Sequence, residues 1–585
     1  MRRLAILAGV VALGLIPMAL EAAGSSPEAG VSGGSVPGGN PWVEWHFAGT
    51  ARLEGATRGS DVRNLLAESA TQRLVRDTLD KLAQTPQRWY LTNRPPSAPP
   101  LASWVRPLLD DLLAVESRGE YRAGSDGPIE LAVAVRLGPE RRPAWETHWS
   151  ALAKAFGGGD AIKVSAGGLS VEEIRGSQGG VVWRRAQAGE WTLASVAAGA
   201  SASLASLAAQ TARPGGADAD DWLGLRVRLD AMAAARGWSR DLPWPDVDLH
   251  CSGRRTSVRT EGRLLFPAAL DLKLEPWRIP TNTICEPLIS FAAARGIPAW
   301  LGRLPFWKLT GLSQAPDQLY GWSLAEVPFH TFVAWELPDY ARLLPQGSPL
   351  TPQLIRHLLP NVTGGNYRYD AKAERLAWVG LPIAEPFVSR ASEKDPDFVM
   401  GGVFPLPRFG SPAPAALLSQ IVGHTNQVFF HWEITAERIV SWRNISGLFR
   451  MLSLYAPPPT NSPVQLWMVD TNVSRHLGNA GTEITRVSDR ELRVTRTSSI
   501  GLTGFEIMAL LRWLDDPQFP RYTEPPPGPL LLQRRGELPR KSAATNAAPA
   551  TRATPAPLRP PSANRAVPPR PSRVTTTNAP AAPPR

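Results

Sequence analysis

Apolar positions along the chain recur in two rhythms. From Ser60, which can cap a helix, Val62, Leu65, Leu66, Val75, Leu79 and Leu82 keep mostly to helical spacing, with Arg and Asp on the other side. Pro143 stands at a favoured first position of a second helix, and Trp145, Trp149, Leu152 and Phe156 mark its buried stripe before Gly157. Aromatic residues at this spacing are packing rather than a cofactor box. The second rhythm is alternation. It predicts a strand over Glu130 to Leu137, and a hairpin from Val181–Ala186 to Trp191–Ala194 that turns near Ala188-Gly189. Val247, Leu249 and Cys251 share one face of another strand, Ser252-Gly253 reads as its turn, and Thr256, Val258 and Thr260 return. Further hairpins fall around Asp370, within Tyr367 to Val379, and around Ser488-Asp489. Antiparallel pairs interspersed with helices predict an α+β fold rather than a doubly wound parallel sheet.

The patterned span is longer than one core usually supports, so two α+β domains of similar size are expected, residues 42–298 and 299–523. The division is placed near Pro298 because Pro267 to Pro298 is punctuated by prolines. Phe329 to Leu344 and Phe429 to Leu452 each read as an aromatic strand followed by a short helix, which suggests a tandem duplication. Thr283 and Glu286 have capping-box spacing, so Ile289 to Ala294 is expected to continue a short helix that stops at Gly296. The segment Pro276 to Phe291, with the Trp-bearing strands on either side, resembles large exported bacterial proteins that have no assigned activity. The resemblance spans Trp42 to Pro520 and implies location, not chemistry.

The two ends are of another kind. Met1-Arg2-Arg3, the apolar run Leu4 to Leu20 and the small residues Ala22-Ala23-Gly24 have the three-part form of a secretory signal, residues 1–24, cleaved after Gly24. The alternative is a retained anchor, since the run almost reaches membrane-spanning length. Residues 25–41 form a Gly/Ser/Pro lead-in. From residue 524 to 585 the chain is rich in Pro, Ala, Thr and Arg and lacks aromatic residues, which predicts a disordered tail. Arg534 to Arg585 holds ten Lys or Arg against the single acid Glu537, a net charge of +9. With Arg2 and Arg3, this accounts for the whole formal charge of +11 and leaves the span between neutral. The basic pI therefore predicts no nucleic-acid partner; the tail could engage an anionic envelope polymer, or be an inert linker.

Catalytic signatures are missing. Gly30-Val31-Ser32-Gly33-Gly34 matches a nucleophile-elbow spelling but lacks the flanking strand and helix. His424 and His431 would share a face only on a helix, and Val428 to Trp432 reads as a strand. Asp218 to Asp221 imitates a calcium loop, yet Leu223 and Leu229 stand where glycine and glutamate are required. No metal, cofactor or phosphate-binding motif is expected. Cys251 and Cys285, the only cysteines, are a possible disulfide of an exported chain or two buried thiols. Cys285 in a first helical turn would be a reactive thiol. The abundant tryptophans, among them Trp183, Trp191, Trp378 and Trp467, are read as packing rather than a sugar-stacking groove. The sequence thus points to a non-enzymatic binding or scaffolding protein of the envelope; the competing class is a polysaccharide hydrolase with an unidentified Asp/Glu pair.

Overall fold

The computed structural model describes residues 40–89, 91, 98–122, 130–176, 181–197, 201–212, 221–236, 243–296, 302, 315–326, 330–345, 366–380, 385–404, 411–453, 461–516 and 518–520. The signal, most of the lead-in, Asp218 to Asp220, Pro298, Phe329 and the basic tail lie outside them.

Among the described residues, ten strands precede Phe266: β1 (Val43–Phe47), β2 (Ser117–Arg122), β3 (Glu130–Arg136), β4 (Ile162–Ala166), β5 (Leu169–Arg175), β6 (Val182–Ala188), β7 (Trp191–Ala197), β8 (Asp221–Arg228), β9 (Asp246–Arg254) and β10 (Ser257–Leu265). Ten follow Pro287: β11 (Leu288–Arg295), β12 (Gln318–Leu324), β13 (Thr331–Glu336), β14 (Asn366–Asp370), β15 (Arg375–Val379), β16 (Phe387–Ser392), β17 (Asp395–Gly402), β18 (Gln427–Ile434), β19 (Asn479–Arg486) and β20 (Glu491–Ser498). Helices α1 (Thr50–Gly55), α2 (Ser60–Ala67), α3 (Ser69–Trp89) and α4 (Ala102–Ala114) lie between β1 and β2, and α5 (Arg142–Ala155) follows β3. Then come α6 (Ser203–Ala212), α7 (Leu229–Arg236), α8 (Ala415–Val422), α9 (Thr435–Ser453), α10 (Pro463–Val469), α11 (Thr471–Arg475) and α12 (Gly504–Asp515). The fold is α+β, and every strand pairing is antiparallel.

The pairings arrange the strands into one 20-stranded sheet. In the first half the spatial order is β4-β5-β6-β7-β3-β2-β1-β8-β9-β10. Across β10 the sheet continues as β20-β19-β18-β11-β12-β13-β17-β16-β15-β14. Each half is therefore the same ten-strand unit, β1 corresponding to β11, β2 to β12, and so on to β10 and β20. The two units meet about a local two-fold at the β10–β20 pair, where Val258 to Leu265 oppose Ser498 to Glu491. By this correspondence Phe329–Leu344 and Phe429–Leu452 are not repeats of each other: β13 matches β3, and β18 matches β8.

Helices cover both faces. On one, Val43, Trp45, Phe47, Leu131 and Val133 pack under α2 to α5. On the other, Ala132, Ala134 and Leu193 meet Leu204 and Leu207 of α6, while Phe291, Trp322, Phe332 and Phe430 meet Leu417 and Ile421 of α8. Strand β3 is buried on both sides, which is why it reads as a near-continuous apolar run. The halves are also laced together. Ile507, Leu510, Leu511 and Leu514 of α12 are buried in the first half's core, each contributing about 1.5–3 kcal/mol by area. Trp467 donates to Thr71 at 2.9 Å, and Lys81 to the carbonyl of Leu514 at 2.9 Å.

Several local expectations change. Ile289 to Ala294 is the buried strand β11, not a helix, because Ser290 to Ala294 pair with β18 on one side and β12 on the other. Thr283 turns its hydroxyl to Asp395; the capping box lies instead at Thr503 and Glu506, starting α12. The β9–β10 turn is Arg255-Thr256, three residues later than expected, with Arg255 at φ 50°. Gly253 is a strand residue whose missing side chain admits the Trp222 ring: a Cβ there would lie 2.1 Å from it.

Candidate functional site

The repeated strand order allows position-by-position comparison of the halves. Strands β8 and β18 are both eight residues long and run without a break into α7 and α9. Counting back from that junction equates Val227 with Glu433 and Leu225 with His431; counting forward equates Met232 with Arg438. Register extends the match. Val227 opposes Val43, which opposes Tyr121 and then Leu131; Glu433 opposes Ser290, which opposes Ser323 and then Thr331. Likewise Leu225 opposes Trp45 and Gly119, whereas His431 opposes Ala292 and Gly321. The same sheet positions are thus an apolar core in the first half and a set of small and polar residues in the second.

The glycine pair shows what this does to space. Gly119 lies under Trp45, and a Cβ there would come 1.9 Å from the ring. At Gly321 an added Cβ would meet nothing nearer among the described residues than the Phe332 carbonyl oxygen at 3.8 Å. Val133, opposite Gly119, is buried, while Val333, opposite Gly321, is 43% exposed. Among the described residues, no side chain of the second half takes the volume that Trp45 fills in the first, because Ala292 stands in its place. Gly119→Ala is therefore expected to cost about 2–3 kcal/mol through overpacking, and Gly321→Ala less than about 0.5 kcal/mol. Thermal melts of both variants test this, and equal shifts would contradict the comparison.

Beside Ala292 and Gly321 stands a dense polar cluster. Arg438, 8% exposed, donates to Ser323 Oγ at 2.6 Å and more weakly to Ser441 Oγ at 3.5 Å. Its guanidinium lies 4.9 Å from the Trp442 ring centroid. Ser323 shares a 2.9 Å hydrogen bond with Thr331. Glu433 accepts from the backbone N–H of Gly504 and from Thr435 Oγ1, so its charge sits at the N-terminus of α12. Arg496 holds Glu506 through both oxygens, at 2.7 and 2.9 Å, and also donates to Thr482. Burial, with Arg438 and Arg496 nearby, pushes the His431 imidazole down to about 4, so it is neutral at pH 7. Its 3.5 Å approach to Glu433 is accordingly a contact of a neutral ring. Burial raises the Glu433 carboxyl and lowers the Arg438 guanidinium.

Chemically this is not a nucleophilic triad. The Ser323 hydroxyl bonds Arg438 and Thr331, and His431 faces Glu433. What the cluster offers is a buried cation, a buried carboxylate, hydroxyls and a neutral imidazole beside the small residues Ala292 and Gly321, which suits binding. Sequence reasoning named His431 only as a metal candidate and missed Glu433 and Arg438 entirely. The legible trace was the polar alternation His431, Glu433, Thr435 inside an aromatic strand.

Other expected sites are placed as follows. Cys251 and Cys285 are free thiols. Cys251 lies in the first half's core with its Sγ 3.4 Å from Thr260 Oγ1, and Cys285 packs against the second half's core. Cys285 sits in no helix but in a bridge to Pro412, and burial raises its thiol, so the dipole argument for reactivity has no basis. Among the described residues no group of three or more His, Cys, Asp or Glu could hold a metal, and no helix is long and apolar enough to cross a membrane. Trp183, Trp191, Trp378 and Trp467 are all buried, as packing requires. Near the first half's helices, a groove of about 400 Å3 is lined by Gln72, Arg76, Arg106 and Asp110; Arg106 is already bound to Asp80 and Asp110.

No family model matches the chain, and no curated protein matches it. Two solved structures, crystal forms IV and I of TP0453, are similar at 11% identity with TM-scores of 0.21 and 0.20. The alignments cover 39% and 42% of this chain and 78% and 82% of those. Scores this low carry no argument about fold or function.

Proposed function

We propose that this is an exported, non-catalytic binding or scaffolding protein of the cell envelope, with a neutral body and a basic tail that engages anionic polymers. The observation that carries the reading is the division of charge: +9 between Arg534 and Arg585, beside a neutral span several times longer. Clustered charge of one sign binds polyanions in a salt-dependent way. The body supports the reading through how it uses its buried acids. Glu120 accepts from Arg122, Ser206 and Gln210. Glu130 accepts from the backbone N–H groups of Ala202 and Ser203, and Glu173 is held by Arg175 and Arg184. These carboxylates fix strands to helices or to each other.

Co-sedimentation with isolated cell envelopes across a salt series, with and without residues 524–585, tests the reading. The full chain is expected to pellet at low salt and to release as salt rises, and the shortened chain to stay in the supernatant. Equal pelleting of the two forms would remove the tail from the function.

A further inference from the structure

We propose that the second half carries an oxyanion-binding site in which Arg438 receives a carboxylate or phosphate group over the floor formed by Ala292 and Gly321. The site belongs to the folded body and stands whether or not the tail binds polymers.

Arg438 is the starting point. Its side chain is more than nine-tenths buried, and among the described residues no carboxylate lies within ion-pair distance of it. Among the described residues its Nε–H has no acceptor. A guanidinium cannot shed its charge at accessible pH, and burying it without an anion costs several kcal/mol. Glu433 attracts the guanidinium through space, but its oxygens are hydrogen-bonded to the first turn of α12 and to Thr435 rather than to Arg438. A buried guanidinium edge without an acceptor among the described residues is a place where an incoming acceptor can bind.

The surroundings fit that acceptor. The Nε edge of the guanidinium is a planar fork matched to two oxygens of a carboxylate or phosphate. Ser323 and Ser441, already touching the other edge, each retain a rotatable hydroxyl. A neutral His431 adds a ring able to donate or accept, and Arg496 adds positive potential. Opening to solvent is provided at Val333. Nor does the fold require a cation at this place: the equivalent residue of the first half is Met232, which packs against an apolar core. Of the two floor residues, Gly321 matches Gly119, while Ala292 is small where its counterpart is Trp45, so the described residues leave the Trp45 volume free for an incoming group.

The test is a titration of the full chain with inorganic phosphate and, separately, with acetate, ionic strength being held constant with chloride. Melting temperature and tryptophan fluorescence are read together, since Trp442 lies against the guanidinium. One ion is expected to raise the melting temperature saturably, and which one saturates identifies the group. Arg438→Gln should weaken that binding at least tenfold with the tail intact, and Ser323→Ala with Ser441→Ala should weaken it several-fold. If Arg438→Gln does not fold, Arg438→Lys keeps the charge but loses the fork, and should bind about tenfold more weakly. The proposal is overturned if neither ion saturates below about 50 mM, or if binding is unchanged in Arg438→Lys and in the double serine variant.

Discussion

Arg295→Met is expected to destabilise the protein by about 4 kcal/mol, the largest single effect outside the apolar core. The Arg295 side chain is 2% exposed and donates to four backbone carbonyls: Gln427 through Nε at 2.8 Å, Glu275 through Nη1 at 2.6 Å, and His424 and Thr425 through Nη2 at 2.7 Å each. Its guanidinium also stacks on Trp277 at 4.5 Å. These contacts tie the segment joining the two halves and the turn before β18 to the end of β11. Methionine fills similar volume but leaves the carbonyls without donors, each a penalty of about 1–3 kcal/mol when buried. Lysine should lose about half as much, since it keeps a charge but cannot serve all four acceptors. Denaturant titrations of the three proteins decide the matter. A methionine variant within about 1 kcal/mol of the parent would mean that the clamp is replaceable by water.

The second large effect concerns acid. His431 titrates near 6.5 when unfolded and is pushed down to about 4 when folded, first by burial and then by Arg438 and Arg496, with Glu506 opposing. Between those values the unfolded chain binds the proton and the folded chain does not. The stability tied to the neutral ring is therefore fully present above about pH 6.5 and is lost as pH falls towards 4, about 3 kcal/mol in all. Glu433 works in the opposite sense, because its carboxyl is raised by burial and its share is lost as pH rises through the folded value. Comparing the parent with His431→Gln isolates the histidine: the variant should lose less stability between pH 7 and pH 4.5. Parallel profiles for the two proteins would show that the ring titrates in the fold as it does in the unfolded chain. The site proposed around Arg438 sharpens the experiment, because a bound oxyanion would raise the His431 value and move the acid transition down in pH.

Local structure was largely written in the chain. The stripe of Trp145, Trp149 and Leu152 behind Pro143 became α5, and the alternation on either side of Ala188-Gly189 became the β6–β7 hairpin with Gly189 at φ 59°. Both are set by neighbours a few residues apart, through the helical and strand periods. The charge division between body and tail was equally legible, since it needs only counting.

The tertiary structure decided the rest. Ile289 to Ala294 could be helix or strand by its apolar run alone, and only the pairing with β12 and β18 makes it a strand. The repeated strand order left little trace in the residues because pairing order depends on backbone geometry and buried volume, not on particular side chains. Once each half had its own core, one could keep Trp45 over Gly119 while the other placed Ala292 over Gly321. The cluster around Arg438 was invisible for the same reason. Ser290, Ser323, Thr331 and Glu433 lie on four different strands and become neighbours only through register. The sequence by itself determined most of the elements, the class and the charge of the tail; the register of a 20-stranded sheet decided which residues meet, because strand partners far apart in the chain are chosen by packing across the sheet.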